Sequence, residues 1–232
     1  MIKYNLTLAD FGVGTQEIVL RKRYGRVNEE DENHRAEQAQ LYRYMAKVLD
    51  SRELKMEADI GLNDLSINVK SRRIYHHGGY IYRLMYAEKG GFKLRLGSMK
   101  EHEIMMMQIA GWLAKQSYTT APKGIRFLCH CLAEDDSENP IIESQLLEIE
   151  LTKDEVIEEY LTNFMLNLRD AHGQKDDFLP ECDEDQRHSS TGNKFVKCQD
   201  TCRVRNNCKQ FAKFKTEHAN LYKNNLSALE GL

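Results

Sequence analysis

Proline is scarce in this chain, with 3 in 232 residues, and its 14 glycines are scattered. That excludes a collagen repeat, a proline-rich spacer and a low-complexity tail. No apolar run approaches the roughly 18–20 residues a membrane-spanning helix needs, so no membrane partner is expected. The opening MIKYNLTLAD has no basic cap leading into an apolar stretch, so a cytoplasmic location is expected rather than export. The glycine fingerprint of dinucleotide folds and the Gly-x4-Gly-Lys phosphate loop are missing. So are HExxH, GxSxG and the kinase motif set, which removes several large enzyme classes.

Charge is plentiful but unevenly distributed. The net charge is −3. Between 65 and 100 there are eight Lys/Arg (Lys70, Arg72, Arg73, Arg83, Lys89, Lys93, Arg95, Lys100) against one acid, Glu88. Between 134 and 185 there are eighteen acids against Lys153, Arg169 and Lys175. From Arg187 onward the balance is basic again, nine to three. A basic face beside an acidic one follows, or else solvated faces of alternating sign. In the basic segment Tyr75, Tyr80, Tyr82 and Tyr86 interleave with Lys70, Arg72, Arg73 and Arg83. Cations neutralise phosphates, and aromatic rings stack on unpaired bases, so Arg72, Arg73, Tyr80, Tyr82 and Arg83 form a DNA-binding candidate set. The alternative is a packed tyrosine face with solvated cations opposite.

The six cysteines fall into two groups. Cys129 and Cys131 lie two apart in an expected strand and read as buried thiols. Cys182, Cys198, Cys202 and Cys208 follow the spacing C-x15-C-x3-C-x5-C. In a reducing compartment four such cysteines point to a metal or cluster rather than to disulfides. Four thiolates suit tetrahedral zinc and equally a 4Fe–4S cluster; the lack of a paired CxxC favours the cluster.

The hydropathy pattern predicts strands over 2–11 and 17–27 forming a hairpin. A helix over 29–49 follows, then a short strand at 57–62. A meander over 66–75, 80–87 and 92–96 is punctuated by the turns HHGG and EKGG. A second helix covers 100–116, with strands at 124–133 and 145–151. A third helix is capped by Thr152 with Glu155 closing a capping box. Its apolar stripe is Val156, Ile157, Tyr160, Leu161, Phe164, Met165 and Leu168. A last helix covers 206–222. The fold class is α/β, a central mixed sheet flanked by helices. The division is a core over 1–175, containing the hairpin 2–27 and the basic meander 57–96, and a cysteine-rich module over 176–232 with its terminal helix.

Three features carry a family resemblance. Gln108-Ile-Ala-Gly-Trp112 lies on a helix after the sheet and looks like a QxxxY motif with Trp for Tyr. A strand, an acidic helix and FLPEC (178–182) follow it. Cys198, Cys202 and Cys208, with Cys182 upstream, then complete a C-terminal cysteine cluster. In these respects the chain resembles RecB-type nucleases of the PD-(D/E)XK superfamily, especially short phage-encoded forms and the nuclease of CRISPR adaptation modules. The resemblance covers roughly 55–212. It implies a restriction-endonuclease-like fold, an iron–sulfur centre at the four cysteines, a Mg²⁺- or Mn²⁺-dependent DNA nuclease and, if phage-encoded, the cytoplasm of a bacterial host.

Such nucleases place an acid on one strand and (D/E)-x-K on the next. The carboxylates hold the cation, and the lysine faces the phosphate. The best match here is Asp59 followed by Asn68-Val69-Lys70, with Gln108 as the helical partner. Asn68 stands where the family has an acid, which should lower divalent affinity. Glu57, two before Asp59, would share its strand face and could replace the missing acid. Asp64, in Gly61-Leu-Asn-Asp64, lies too near Asn68 for a normal hairpin. Glu53-Leu-Lys55 matches by letter but sits at an expected helix end. His34 could be a further ligand. Two functional readings follow: a metal-dependent DNA nuclease whose cysteine cluster is structural, or a degenerate nuclease-like protein that binds DNA or a protein partner as inhibitor or regulator. A structural or regulatory protein with a zinc knuckle is a third.

Overall fold

Alternation with period two lays out the first sheet. In β1 (Ile2–Thr7), Tyr4 and Leu6 are buried while Lys3 and Asn5 are exposed. In β4 (Leu65–Lys70), Leu65, Ile67 and Val69 are buried, and Ser66, Asn68 and Lys70 point the other way. Strand β3 (Glu57–Leu62) pairs antiparallel with β4, and β1 pairs parallel with β4, giving the order β1-β4-β3. The β3–β4 turn places Asn63 at φ 54°, a left-handed conformation that asparagine tolerates better than most residues.

The computed structural model describes residues 1–25, 43, 47, 50–87, 96, 99–118, 121–132, 142–176, 179, 208, 209, 212, 213 and 216. Most of the expected helix over 29–49, including His34, most of the strand 92–96, the EKGG turn, most of the last helix, and Cys182, Cys198 and Cys202 lie outside the described residues.

A second sheet follows. Strand β2 (Arg52–Glu53) pairs with β5 (Ile74–His77), which forms a hairpin with β6 (Tyr80–Ala87). Its turn residues Gly78 and Gly79 have φ 58° and 87°, as a two-residue hairpin of matching twist requires. Helix α2 (Glu101–Ser117) then returns the chain so that β7 (Gly124–Leu132) runs parallel to β6, and β8 (Ile142–Ile149) closes the order β2-β5-β6-β7-β8. Met107, Ile109, Ala110, Leu113 and Ala114 of α2 are all buried, so the helix is apolar around most of its girth. It packs against β6, β7 and the 3-10 turn Leu8–Gly12. At Gly12 a Cβ would come within 2.6 Å of the His102 ring.

The expected single meander is therefore two hairpins in two sheets. The link 71–73 redirects the chain. The Ser71 hydroxyl receives the Met56 N–H and donates to the Leu54 carbonyl, and Arg73 adopts φ 57° with its N–H on Glu53. Glu53 accordingly lies on a short strand rather than at a helix end.

The expected strand over 17–27 is instead helix α1 (Thr15–Tyr24). Gln16, Ile18, Val19 and Leu20 are all buried. Three consecutive buried residues contradict half-buried alternation, whereas Gln16, Val19 and Leu20 fit i, i+3, i+4. The β-branched pair Ile18-Val19 made the segment resemble a strand, and β1 takes β4 as its neighbour instead.

The chain divides into two compact units, 1–12 with 33–165 and 13–32 with 166–232. Thus 13–32 groups with the C-terminal part rather than with the expected 1–175 core. Helix α3 (Asp154–Gly173) contributes to both units. In the first, Ile157, Leu161, Phe164 and Met165 are buried, and the Phe164 and Phe11 rings lie 4.7 Å apart. Burial raises the Tyr160 pKa. Val156, expected in the apolar stripe, is exposed. In the second unit Arg23 binds the His172 carbonyl and Asp176, and Tyr24 donates to the same carboxylate. Among the described residues no helix is long and apolar enough to cross a membrane.

Candidate functional site

The polar face of the first sheet gathers the acids and lysines of its three strands. Register places Asp59 directly opposite Asn68, and Glu57 opposite Lys70. Glu57 and Asp59, two apart on β3, present their carboxylates on one face, as strand parity requires. The Asn68 amide nitrogen donates to both, at 2.8 Å to Glu57 Oε1 and 3.0 Å to Asp59 Oδ1. Lys70 Nζ lies 3.1 Å from Glu57 Oε1. From β1, Lys3 Nζ reaches within 3.9 Å of Asp59 Oδ1. The expected group Asp59, Asn68 and Lys70 is thus brought together, and Glu57 joins it.

Asn68 is the one buried member, 5% exposed. Its Oδ1 is buried without a hydrogen-bond partner. An unsatisfied buried acceptor costs on the order of 1–3 kcal/mol, so its retention calls for a reason. A half-turn of the carboxamide would present Oδ1 between the two carboxylates and carry Nδ2 into the buried position that Oδ1 now holds. Three oxygen donors would then converge, a hard-ligand set suited to Mg²⁺ or Mn²⁺.

The Asn68 hydrogen bond, followed by the Lys70 contact, holds the Glu57 pKa below its ordinary value of 4.5. A depressed carboxylate stabilises the fold above its unfolded pKa, and that contribution disappears as pH falls through the folded value. Glu57 therefore stays ionised throughout the neutral range. Asn68→Leu should move its pKa back up toward 4.5. Carboxyl-selective NMR titration would read this directly, and an unmoved pKa would mean that Asn68 does not control the group.

Gln108 is bonded to backbone instead. It is buried, 5% exposed. Its Nε2 donates to the Glu150 carbonyl at 2.9 Å, and its Oε1 receives the Thr152 N–H at 2.8 Å. Both ends of the amide clamp the β8–α3 connection, and no hydrogen bond joins Gln108 to Asp59 or Lys70. The Thr152 N–H is thereby satisfied and α3 begins at Asp154. Trp112, four residues on, directs its indole N–H to Glu158 at 3.4 Å. Gly111 between them leaves room for Leu151, whose Cδ2 would lie 2.3 Å from a Cβ there.

The DNA-binding candidates do not share a surface. Tyr82 is buried, 4% exposed, and packs with Tyr75 and Leu84. Its hydroxyl receives Arg126 Nη1 at 2.8 Å. The Tyr80 ring is covered by the Arg126 guanidinium, 3.5 Å from its centroid. Tyr82 is thus a packed tyrosine rather than an open stacking platform, and Tyr80 is half-buried beneath Arg126. Arg126 was missed by the sequence reading. The Tyr82 hydrogen bond outweighs desolvation and, with Glu148, raises the Arg126 pKa. Arg83 lies on the opposite face of β6 by parity, lining a small cavity with Glu103, Met106 and Phe127. Arg72 is exposed beside Lys70, and Arg73 forms the bend.

Cys208 is a buried free thiol that receives Gln16 Nε2 at 3.6 Å. The other three cysteines of the expected cluster lie outside the described residues. Among the described residues no three His, Cys, Asp or Glu side chains gather as a metal site. Cys129 is a buried free thiol, as expected.

No family model matches the chain, and no curated protein matches it. A solved structure titled "Crystal structure of SSO0001" is 13% identical with a TM-score of 0.45, over 70% of this chain and 75% of that one. A likeness at that level carries no argument about function.

Proposed function

We propose that this chain is a divalent-cation-dependent DNA nuclease whose site is the β3–β4 hairpin. The observation that supports this most is the convergence of Glu57 and Asp59 on Asn68, with Lys70 beside Glu57. The donor set fits Mg²⁺ or Mn²⁺, with Glu57 supplying the charge that Asn68 lacks. A cation there would supply Lewis acidity and a more acidic bound water. Lys70 would compensate charge developing on the phosphate. Arg72, exposed just beyond it, would add a phosphate contact. In the same reading Cys182, Cys198, Cys202 and Cys208 hold a structural 4Fe–4S cluster, or zinc. Metal analysis and a visible spectrum of anaerobically purified protein separate the two, since iron thiolates are coloured and zinc is not.

A second reading has its own support. Glu57 and Asp59 already have Lys70, Lys3 and the Asn68 amide as partners. A site neutral without a metal suits a nuclease-derived protein that binds DNA or a regulatory partner without cleaving. The deciding experiment is digestion of linear single- and double-stranded DNA with and without Mn²⁺, using wild type, Glu57→Gln and Asp59→Asn. Mn²⁺-dependent cleavage that either substitution lowers by two orders of magnitude or more supports the nuclease. No cleavage by cluster-loaded wild type, with DNA still bound, supports the binder.

A further inference from the structure

The face that carries Glu57, Asp59, Asn68 and Lys70 does not end at β4. The parallel partner β1 sets Lys3 beside Ser66, Asn5 beside Asn68 and Thr7 beside Lys70. All three side chains belong to the polar side of the sheet, because Tyr4 and Leu6 occupy the apolar side. The acids on β3 therefore have a lysine from each of the other two strands: Lys70 at Glu57 and Lys3 at Asp59.

We infer that Lys3 is a second phosphate-binding lysine of this site, near Asp59 in the metal-free protein and turned to the nucleic-acid backbone when a divalent cation takes the carboxylates. The inference rests on the nuclease-like cation site proposed above. Its basis is geometric. Lys3 and Asp59 are both largely solvated, at 60% and 68% side-chain exposure, and their contact is 3.9 Å long. A long, solvated ion pair is weak and exchanges readily. A cation between Glu57 and Asp59 would compete directly with both ammonium groups for carboxylate oxygen. The Asn68 amide, whose Nδ2 now sits on both carboxylates, would offer that cation its Oδ1 only after a half-turn. The ammonium groups that leave would remain on the same face on both sides of Asn68, and phosphate oxygens are the complementary charge. The occupant is thus a phosphodiester strand crossing from β4 to β1.

The test measures DNA affinity in full-length protein carrying Lys70→Ala, so that cleavage does not interfere, with and without Mn²⁺ and over a salt series. Mn²⁺ affinity is measured separately by electron paramagnetic resonance. The expected result is that Mn²⁺ tightens DNA binding in this parent. Adding Lys3→Met should remove several-fold of that gain and lower the salt slope by about one. Mn²⁺ affinity without DNA should be equal or tighter, because a competitor has gone, and Lys3→Arg should restore DNA affinity. Unchanged DNA affinity and salt slope in Lys3→Met would overturn the inference alone. A parent that binds DNA but not Mn²⁺, or neither, would overturn the inference together with the cation site on which it rests.

Discussion

Lys70→Ala is expected to lower Mn²⁺-dependent DNA cleavage by about 10²–10³-fold or more while DNA affinity stays within a few-fold. The magnitude is that of removing one preorganised charge from developing anionic oxygen. Affinity is spared because one exposed cation among several phosphate contacts adds little to binding. Lys70 is half exposed at the end of β4, and its ion pair with Glu57 is on the surface. Its loss should therefore leave the folded state almost unchanged, since such pairs contribute about 0–1 kcal/mol. Single-turnover rates and equilibrium binding on the same DNA would separate these effects. Cleavage equal to wild type would remove Lys70 from the site.

Gln108→Leu is expected to act oppositely, through stability. The substitution keeps the volume but deletes two partly buried hydrogen bonds, to the Glu150 carbonyl and from the Thr152 N–H. Each is worth about 1 kcal/mol, and each backbone group left without a partner costs on the order of 1–3 kcal/mol more. Partial access of water to the connection offsets some of this, so a loss of about 2–4 kcal/mol is expected in urea unfolding. At temperatures where the variant is folded, its cleavage rate should stay near that of wild type. A stable variant with greatly reduced cleavage would mean that Gln108 acts at the phosphate, as the QxxxW resemblance suggested.

The hairpin was legible in the sequence because its signals are local. Eight residues between Asp59 and Asn68 fix the turn, and parity then dictates that Glu57 and Asp59 share a face with Asn68 and Lys70. The neighbour of β4 was not legible. Nothing in IKYNLT says that it will lie parallel to a strand far along the chain, so Lys3 went unnoticed. With β4 as the neighbour of β1, the segment 17–24 lies in α1 instead of pairing with β1. The tyrosine reading failed for a related reason. Alternation shows that Tyr80 and Tyr82 share a face but not what covers it, and the covering group, Arg126, comes from β7. Gln108 showed a motif in sequence; its hydrogen bonds reveal a backbone clamp.

The parallel pairing of β1 with β4 also bears on how the molecule assembles. The β3–β4 hairpin closes over a two-residue turn, an event of microseconds. Ile2 and Leu65 must meet across about sixty intervening positions. That closure carries a larger entropic cost and waits on the rest of the unit. The backbone amides of β3 and β4 should accordingly acquire protection from hydrogen exchange early in refolding. The amides of β1 should follow in a later, slower phase, so that the polar face exists first as a two-stranded half and becomes complete only when the N-terminal strand docks.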